Sequence, residues 1–448
     1  MPLNTLQQQA VDLAVNSRHK VVVISGGPGV GKTFTMKTIM DELRRKFGAS
    51  DASIQIGAVH AMLAAPTGRA AKRLNESTGY GASTIHRLLE PQKDAKGGGF
   101  FFTRNEGNPI PSAFLGLDES SMIDVPLMAS VCKALRPDAR LILVGDADQL
   151  PSVGPGKVLA DCISAGVPNV RLTEILRQAE GSNIIKNAHR INSGSLPRDS
   201  RQDREAPKDD FVWYKDTDED DIVDRVRKLA LRITEETGVR PQVIVPMHRP
   251  KVGTKNLNKQ LQQVLNPGGS SRNKMTYGKD DWAVVYQEGD VVMNLKNDYD
   301  RGLMNGDVGR IVRIETKRGA EPKDDKIVVY VDFNVVVEDV SKETGEGTGH
   351  YRDESKISEF SRDSLMQLVH AWAITIHKSQ GCEWDDVIIP LWSGHSIMLQ
   401  RNLLYTAATR AKKRVFLIGS EAAVQQAVRT TNAMDRQTLL GRMLRDEV

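Results

Sequence analysis

The stretch SGGPGVGKTF, residues 25–34, follows directly on the apolar run Val21-Val22-Val23-Ile24 and constrains the chain more than any other feature. Gly26, Gly31, Lys32 and Thr33 match G-x-x-x-x-G-K-[ST], a loop whose glycines let successive backbone N–H groups turn inward onto phosphate oxygens. Gly27, Pro28, Gly29, Val30 and Phe34 complete the candidate nucleotide-binding loop. Lys32 supplies a point charge for the β- and γ-phosphates, and the Thr33 hydroxyl is a ligand for Mg²⁺. The helix that follows points its positive end at the same anion. Strand, loop and helix in this order predict an α/β domain built on a parallel sheet.

Residues 20–190 continue that pattern. The runs KVVVIS, AVHAMLAAP, AFLGLDE and ARLILVGD are β-branched and nearly continuously apolar, as strands buried on both faces are. FLGLDESSM sets Asp118 and Glu119 at the end of such a strand, where a parallel sheet opens toward its ligand. One carboxylate is placed to hold Mg²⁺ and its neighbour to polarise an attacking water. Adjacent acids suit hydrolysis and disfavour a small-molecule kinase, which must exclude water. Gln149, in LILVGDADQLPSVGPG, follows a third apolar strand and is a candidate reporter of the γ-phosphate.

Bulk properties set limits. The 448 residues suit about three domains. Lys and Arg number 61 against 57 Asp and Glu, a net charge of +4 that permits nucleic-acid binding without requiring it. No apolar run approaches a membrane span, and MPLNTLQQQAVDL lacks the features of a secretory signal. The three scattered cysteines argue against disulfides and a zinc site. A reducing, cytoplasmic setting is the expectation.

Further along, EPQKDAKGGGFFFTRNEGNPIPS leaves the sheet pattern and reads as a small hairpin carrying Phe100, Phe101 and Phe102. Residues 199–224 are strongly acidic and read as a connector. A second αβ region begins at PQVIVPMHRP. Short alternating strands joined by Asn-Gly turns then predict an antiparallel insertion, and residues 341–359 read as a flexible polar loop. LVHAWAITIHKSQG, DDVIIPLW and RVFLIGS return to αβ character.

Taken in order, GGPGVGKT, APTGRAAKRL, STIHRLL, DESSM, GDADQLPSVGPG, LTEILRQ, ITIHKSQGCEW and LLYTAATRAKKRVFLIG resemble the successive motifs of superfamily 1 helicases, most of all the RecD-like and Dda-like 5′-to-3′ DNA helicases of the 1B branch. The likeness runs from about Leu3 to Gly419. It implies two RecA-like domains with ATP in the cleft between them, a short hairpin insertion and a small SH3-like β-barrel insertion. On this chain the expected bounds are 1–89 and 113–195 for the first RecA-like domain, 90–112 for the hairpin, 196–300 and 361–448 for the second domain, and 301–360 for the barrel. By motif match, Lys32, Thr33, Asp118, Glu119 and Gln149 take the roles above. Arg177 and Arg410 reach the γ-phosphate, the latter from the second domain, and Gln7 reads adenine. A strand-binding set is implied at Pro66, Thr67, Arg69, Thr84, His86, Thr375, His377 and Lys378, where hydroxyls and backbone N–H groups at strand ends suit phosphates without reading sequence.

The hairpin matches the pin that splits duplex in this family, and its three phenylalanines either meet the terminal base pair or pack internally. The expected function is an ATP- and Mg²⁺-dependent DNA helicase acting on single-stranded DNA and on junctions with duplex. Its expected form is a monomer, with a single-strand-binding protein as a candidate partner and repair or recombination as its setting. The same motor with opposite polarity or on RNA, and an ATP-driven binding switch without unwinding, are the alternatives. Many RecD-like proteins carry a long region before the first motif, whereas here about two dozen residues precede it, which leaves a compact Dda-type helicase or a family member without that region.

Overall fold

The computed structural model describes residues 2–47, 61–93, 100–175, 181–202, 209–268, 273–278, 283–298, 301–317, 326–340, 347–431, 436 and 438–445. In the first lobe, strands β1 (Val21–Gly26), β2 (Ala61–Ala65) and β3 (Ala82–Thr84) precede a two-stranded antiparallel hairpin of β4 (Pro91–Lys93) and β5 (Phe100–Phe102). β6 (Phe114–Leu117), β7 (Arg140–Gly145) and β8 (Asn169–Leu172) complete a six-stranded parallel sheet of order β3-β2-β6-β7-β1-β8. Alternate side chains serve opposite faces. Val22 and Ile24 pack with Ile39, Met40 and Leu43 of helix Lys32–Phe47, while Val23 joins Leu115, Leu117, Leu143 and Val131 on the other side. Burial on both faces explains why these strands read as unbroken apolar runs.

The second lobe repeats the plan. β9 (Phe211–Tyr214) and β10 (Gln242–Val245) precede an insertion of seven strands, after which β18 (Ala373–Thr375), β19 (Trp384–Pro390) and β20 (Ala411–Ile418) close a five-stranded parallel sheet of order β18-β10-β19-β20-β9. Helix Asn183–Asn192, placed by the sequence reading in the first domain, buries Ile184, Ala188 and Ile191 in this second core. Leu150, from the end of the β7 loop, inserts into the same core.

The insertion comprises a hairpin of β11 (Lys274–Tyr277) and β12 (Val284–Gln287), then β13 (Val291–Asn294), β14 (Val308–Lys317), β15 (Lys326–Val340), β16 (Gly347–Ser361) and β17 (Leu368–His370). The last five form an antiparallel sheet of order β16-β15-β14-β13-β17 over a core that includes Tyr286, Ile311, Val331, Phe333 and Phe360. It therefore begins upstream of the expected residue 301. A bulge in β14 between Ile311 and Arg313 lets Ile311 and Ile314, three apart, both face the core. The expected polar loop at 341–359 is corrected over most of its length: residues 347–361 are β16, paired along β15, and 341–346 lie outside the described residues. Among the described residues no helix is long and apolar enough to cross a membrane.

Candidate active site and nucleic-acid interface

The phosphate-binding loop leaves β1 at Gly26. Gly29 and Gly31 adopt φ of 74° and 81°, left-handed values that glycine takes without steric cost. Val30, fully buried, anchors the loop while its carbonyl accepts from Gln7 Nε2 at 3.1 Å. Gln7 is itself buried and closes a capping box with Asn4 at the start of helix Thr5–Asn16. The expected adenine reader thus sits under the loop and braces its backbone. Lys32 Nζ donates to the Gly26 and Gly27 carbonyls, each at 2.8 Å. Thr33 and Phe34 lie in the first turn of the following helix.

Asp118 and Glu119 follow β6 and are both buried. Glu119 holds φ at 50°, a left-handed conformation that costs a non-glycine residue of order 1 kcal/mol or more and concentrates at functional sites. Burial first, and the neighbouring Glu119 charge second, push Asp118 up to about 6. Burial would raise Glu119 as well, but the positive charges of Arg73, Arg410 and Lys32 outweigh it and hold its carboxylate below its ordinary value. Arg73 supplies the closest of these, a 2.7 Å hydrogen bond from Nη2 to Glu119 Oε1. A buried carboxyl pair with one member raised fits a hard cation, which relieves the repulsion between them. Among the described residues no group of three His, Cys, Asp or Glu forms a cage alone. A cation here would complete its shell with Thr33, water and phosphate oxygens.

The second lobe closes the site through helix Arg401–Ala408. Tyr405 donates to Asp146 at 2.8 Å, Asn402 to the Asp148 carbonyl at 2.7 Å, and Thr406 accepts from the Leu150 N–H at 2.9 Å. Gln380 adds a 2.8 Å bond to the Leu150 carbonyl. Gln149, also buried, donates to Asp146 at 3.2 Å and so stands beside Tyr405. Arg410 is buried two residues beyond this helix, where the Thr406 and Cys382 carbonyls and the Thr409 hydroxyl accept from its guanidinium. Arg177 lies outside the described residues. Sequence reasoning passed over Arg73, Asp146 and Tyr405. The first was within the quoted motif APTGRAAKRL, and a charged residue one turn after Arg69 was the available signal.

The candidate strand-binding residues gather at the carboxyl ends of the edge strand β3 and its neighbour β2 in the first sheet and of the edge strand β18 in the second. Pro66 and Thr67 follow β2, Thr84 ends β3, and Thr375, His377 and Lys378 end or follow β18. Each threonine hydroxyl accepts a local backbone N–H: Thr67 from Ala70, Thr84 from Arg87, Thr375 from Lys378. Each keeps its own proton to donate outward. The two edges meet. Gly381, at φ 72°, packs so closely that a Cβ there would lie 2.9 Å from Thr67 Oγ1, and Arg69 Nη1 donates to Cys382 Sγ at 3.3 Å. Burial lowers the affinity of His86, His377 and Lys378 for a proton. His86 packs its ring 5.9 Å from Phe102. The phenylalanine triplet is split: Phe102 packs against the first-lobe core, whereas Phe100 and Phe101 are 56% and 51% exposed at the hairpin.

With this geometry in place, comparison with known proteins gives a consistent result. Residues 2–207 match the family model described as an AAA domain, 257–333 the SH3 domain of ATP-dependent RecD-like DNA helicases, and 370–418 the UvrD-like helicase C-terminal domain. The chain is 34% identical over 440 residues to the ATP-dependent RecD2 DNA helicase of Deinococcus radiodurans, covering 98% of this chain and 52% of that protein. It is 30% identical over 467 residues to the RecBCD enzyme subunit RecD of Mycolicibacterium smegmatis, covering 96% of this chain and 74% of that one. This chain thus spans about half the length of the Deinococcus relative. Among solved structures, two coordinating Pif1 helicases on forked double-stranded DNA give a TM-score of 0.54 at 20% identity, covering 97% of this chain and 96% of that one. A Bacteroides Pif1 with ADP-AlF3 and single-stranded DNA gives 0.51 at 19%, with 97% and 96% coverage. These structures share the fold, two RecA-like lobes with an SH3-like insertion.

Proposed function

The chain belongs to the RecD-like family of superfamily 1B DNA helicases, and from that membership we propose that it hydrolyses ATP between its lobes to move 5′ to 3′ along single-stranded DNA and separate the duplex ahead. The observation that carries this reading is geometric. Helix Arg401–Ala408 of the second lobe seats on the end of β7 beside the phosphate-binding loop through Tyr405–Asp146, Asn402–Asp148 and Thr406–Leu150, with Arg410 buried just past the helix, so closure of the cleft brings a second-lobe guanidinium toward the charges that a phosphoryl transition state needs.

In this reading the loop from Gly26 to Phe34 binds the phosphates, and Thr33 with Asp118 holds Mg²⁺. The ion, when bound, neutralises charge on the phosphates. Glu119 accepts the proton of the attacking water, Gln149 reports the γ-phosphate, and Arg410 with Arg177 stabilises the transition state across the cleft. Gln7 supports the loop from beneath and reads the base. Thr67, Arg69 and Thr84 grip one stretch of strand, and Thr375, His377 and Lys378 the next. Because Thr67 abuts Gly381, opening and closing the cleft shifts one grip past the other. The exposed Phe100 and Phe101 support duplex splitting over a switch that only changes state. Partial duplexes with a single 5′ or 3′ tail test the reading. Separation from 5′ tails alone is expected, and separation only from 3′ tails, or ATP hydrolysis with none, would reject it.

A further inference from the structure

Helix Gly68–Thr78 presents Arg69 and Arg73 four residues apart, hence on one face. Both reach the turn that follows the second-lobe tract His377–Ser379: Arg69 to Cys382, and Arg73 Nη1 to Glu383 Oε1 at 2.7 Å. From that junction Arg73 Nη2 extends to Glu119. One guanidinium therefore bridges two carboxylates on different lobes, and its helix starts at Thr67, in the candidate strand grip. Burial opposes the Arg73 charge, but Glu119, Glu383 and Asp118 more than compensate and hold its proton more firmly than usual.

We infer that Arg73 is a positioning residue that restrains Glu119 until strand binding moves helix Gly68–Thr78, at which point Glu383 keeps the guanidinium and Glu119 is freed to activate water. The proposal rests on the reading of Glu119 as the water-activating base. A carboxylate held in a 2.7 Å charge-assisted bond is oriented and a poor proton acceptor. The strand's phosphates act on Thr67 and Arg69, within two turns of that bond on the same helix. Contact with Glu383 makes release depend on the second lobe as well, so nucleotide chemistry waits for a strand spanning both.

The test is steady-state ATP hydrolysis with and without oligothymidylate, in wild type, Arg73→Ala, Arg73→Lys, Glu383→Gln and Arg73→Ala with Glu383→Gln. In Arg73→Ala, DNA-free turnover is expected to rise about fivefold and the stimulation ratio to fall by a similar factor, the low end of typical coupling between sites. Arg73→Lys keeps the charge without the fork and is expected to fall between. Glu383→Gln alone is expected to lower the stimulated rate, and the double variant to behave as Arg73→Ala. A stimulation ratio unchanged in Arg73→Ala, or equal loss with and without DNA, overturns the proposal. If Arg73→Ala fails to fold, the Arg73→Lys and Glu383→Gln ratios decide on the same terms. Wild-type turnover indifferent to DNA would instead reject the functional reading beneath it.

Discussion

The Tyr405 hydroxyl donates to Asp146 Oδ2 at 2.8 Å, tying the second-lobe helix Arg401–Ala408 to the end of β7 in the first lobe. Asp146 is fully enclosed, and burial pushes its carboxyl above the ordinary value despite the Lys32 charge and the tyrosine bond. Removing the hydroxyl leaves a buried acceptor one partner short, and a bond of this kind contributes about 1.5–3 kcal/mol. Tyr405→Phe is therefore expected to lower DNA-stimulated turnover about tenfold, since fewer molecules reach the closed arrangement. Steady-state kinetics checks this, and an unchanged turnover number would separate Tyr405 from closure.

Glu119→Gln preserves shape and removes the proton acceptor. The variant is expected to bind ATP and DNA while hydrolysing about 10²–10⁴-fold more slowly, the usual contribution of a general base. Nucleotide binding by fluorescence beside single-turnover hydrolysis distinguishes this from a collapsed site. Failure to bind nucleotide would count against the assignment.

Lys32→Ala removes the charge that touches Gly26 and Gly27 and is expected to abolish turnover with the melting temperature little changed. Near wild-type hydrolysis would refute the phosphate grip.

The split phenylalanine triplet predicts two phenotypes. Phe100→Ala with Phe101→Ala is expected to slow strand separation about tenfold while sparing DNA-stimulated hydrolysis, the scale of lost stacking on one base. Phe102→Ala, cutting into the core, is expected instead to lower the melting temperature. The reverse pattern would assign the duplex contact to the inner ring.

His395 is fully buried in the second lobe, where its Nδ1 accepts the Trp392 N–H, and burial lowers its pKa to about 4. A histidine ordinarily near 6.5 then binds its proton more readily unfolded than folded. The stability it confers is whole above about pH 6.5 and declines as pH falls toward 4, by about 3 kcal/mol in all. Melting curves between pH 7 and 4 are expected to fall more steeply for wild type than for His395→Asn. Parallel curves would contradict the assignment.

The residues legible in the sequence were those whose chemistry is local. Gly26 to Thr33 form one loop, and Asp118 and Glu119 are neighbours at a strand end, so spacing alone brought them together. Tyr405 and Asp146 meet only because two lobes fold against each other across 259 positions, and nothing near either residue signals its partner. The same holds for Arg73, whose two carboxylates lie on different lobes. Strand β16 was missed because its composition is polar and its regularity comes from pairing along β15, a tertiary effect that local pattern does not carry. Helix Asn183–Asn192 shows its apolar face plainly in sequence, but not that this face packs on the core of the second-lobe sheet.

The most direct measurement is the ATP hydrolysis rate of this chain with and without single-stranded DNA. The account predicts a saturable rise of about tenfold or more on adding the strand, as coupling between the strand edges and Glu119 requires. The same rate in its presence and absence would contradict it.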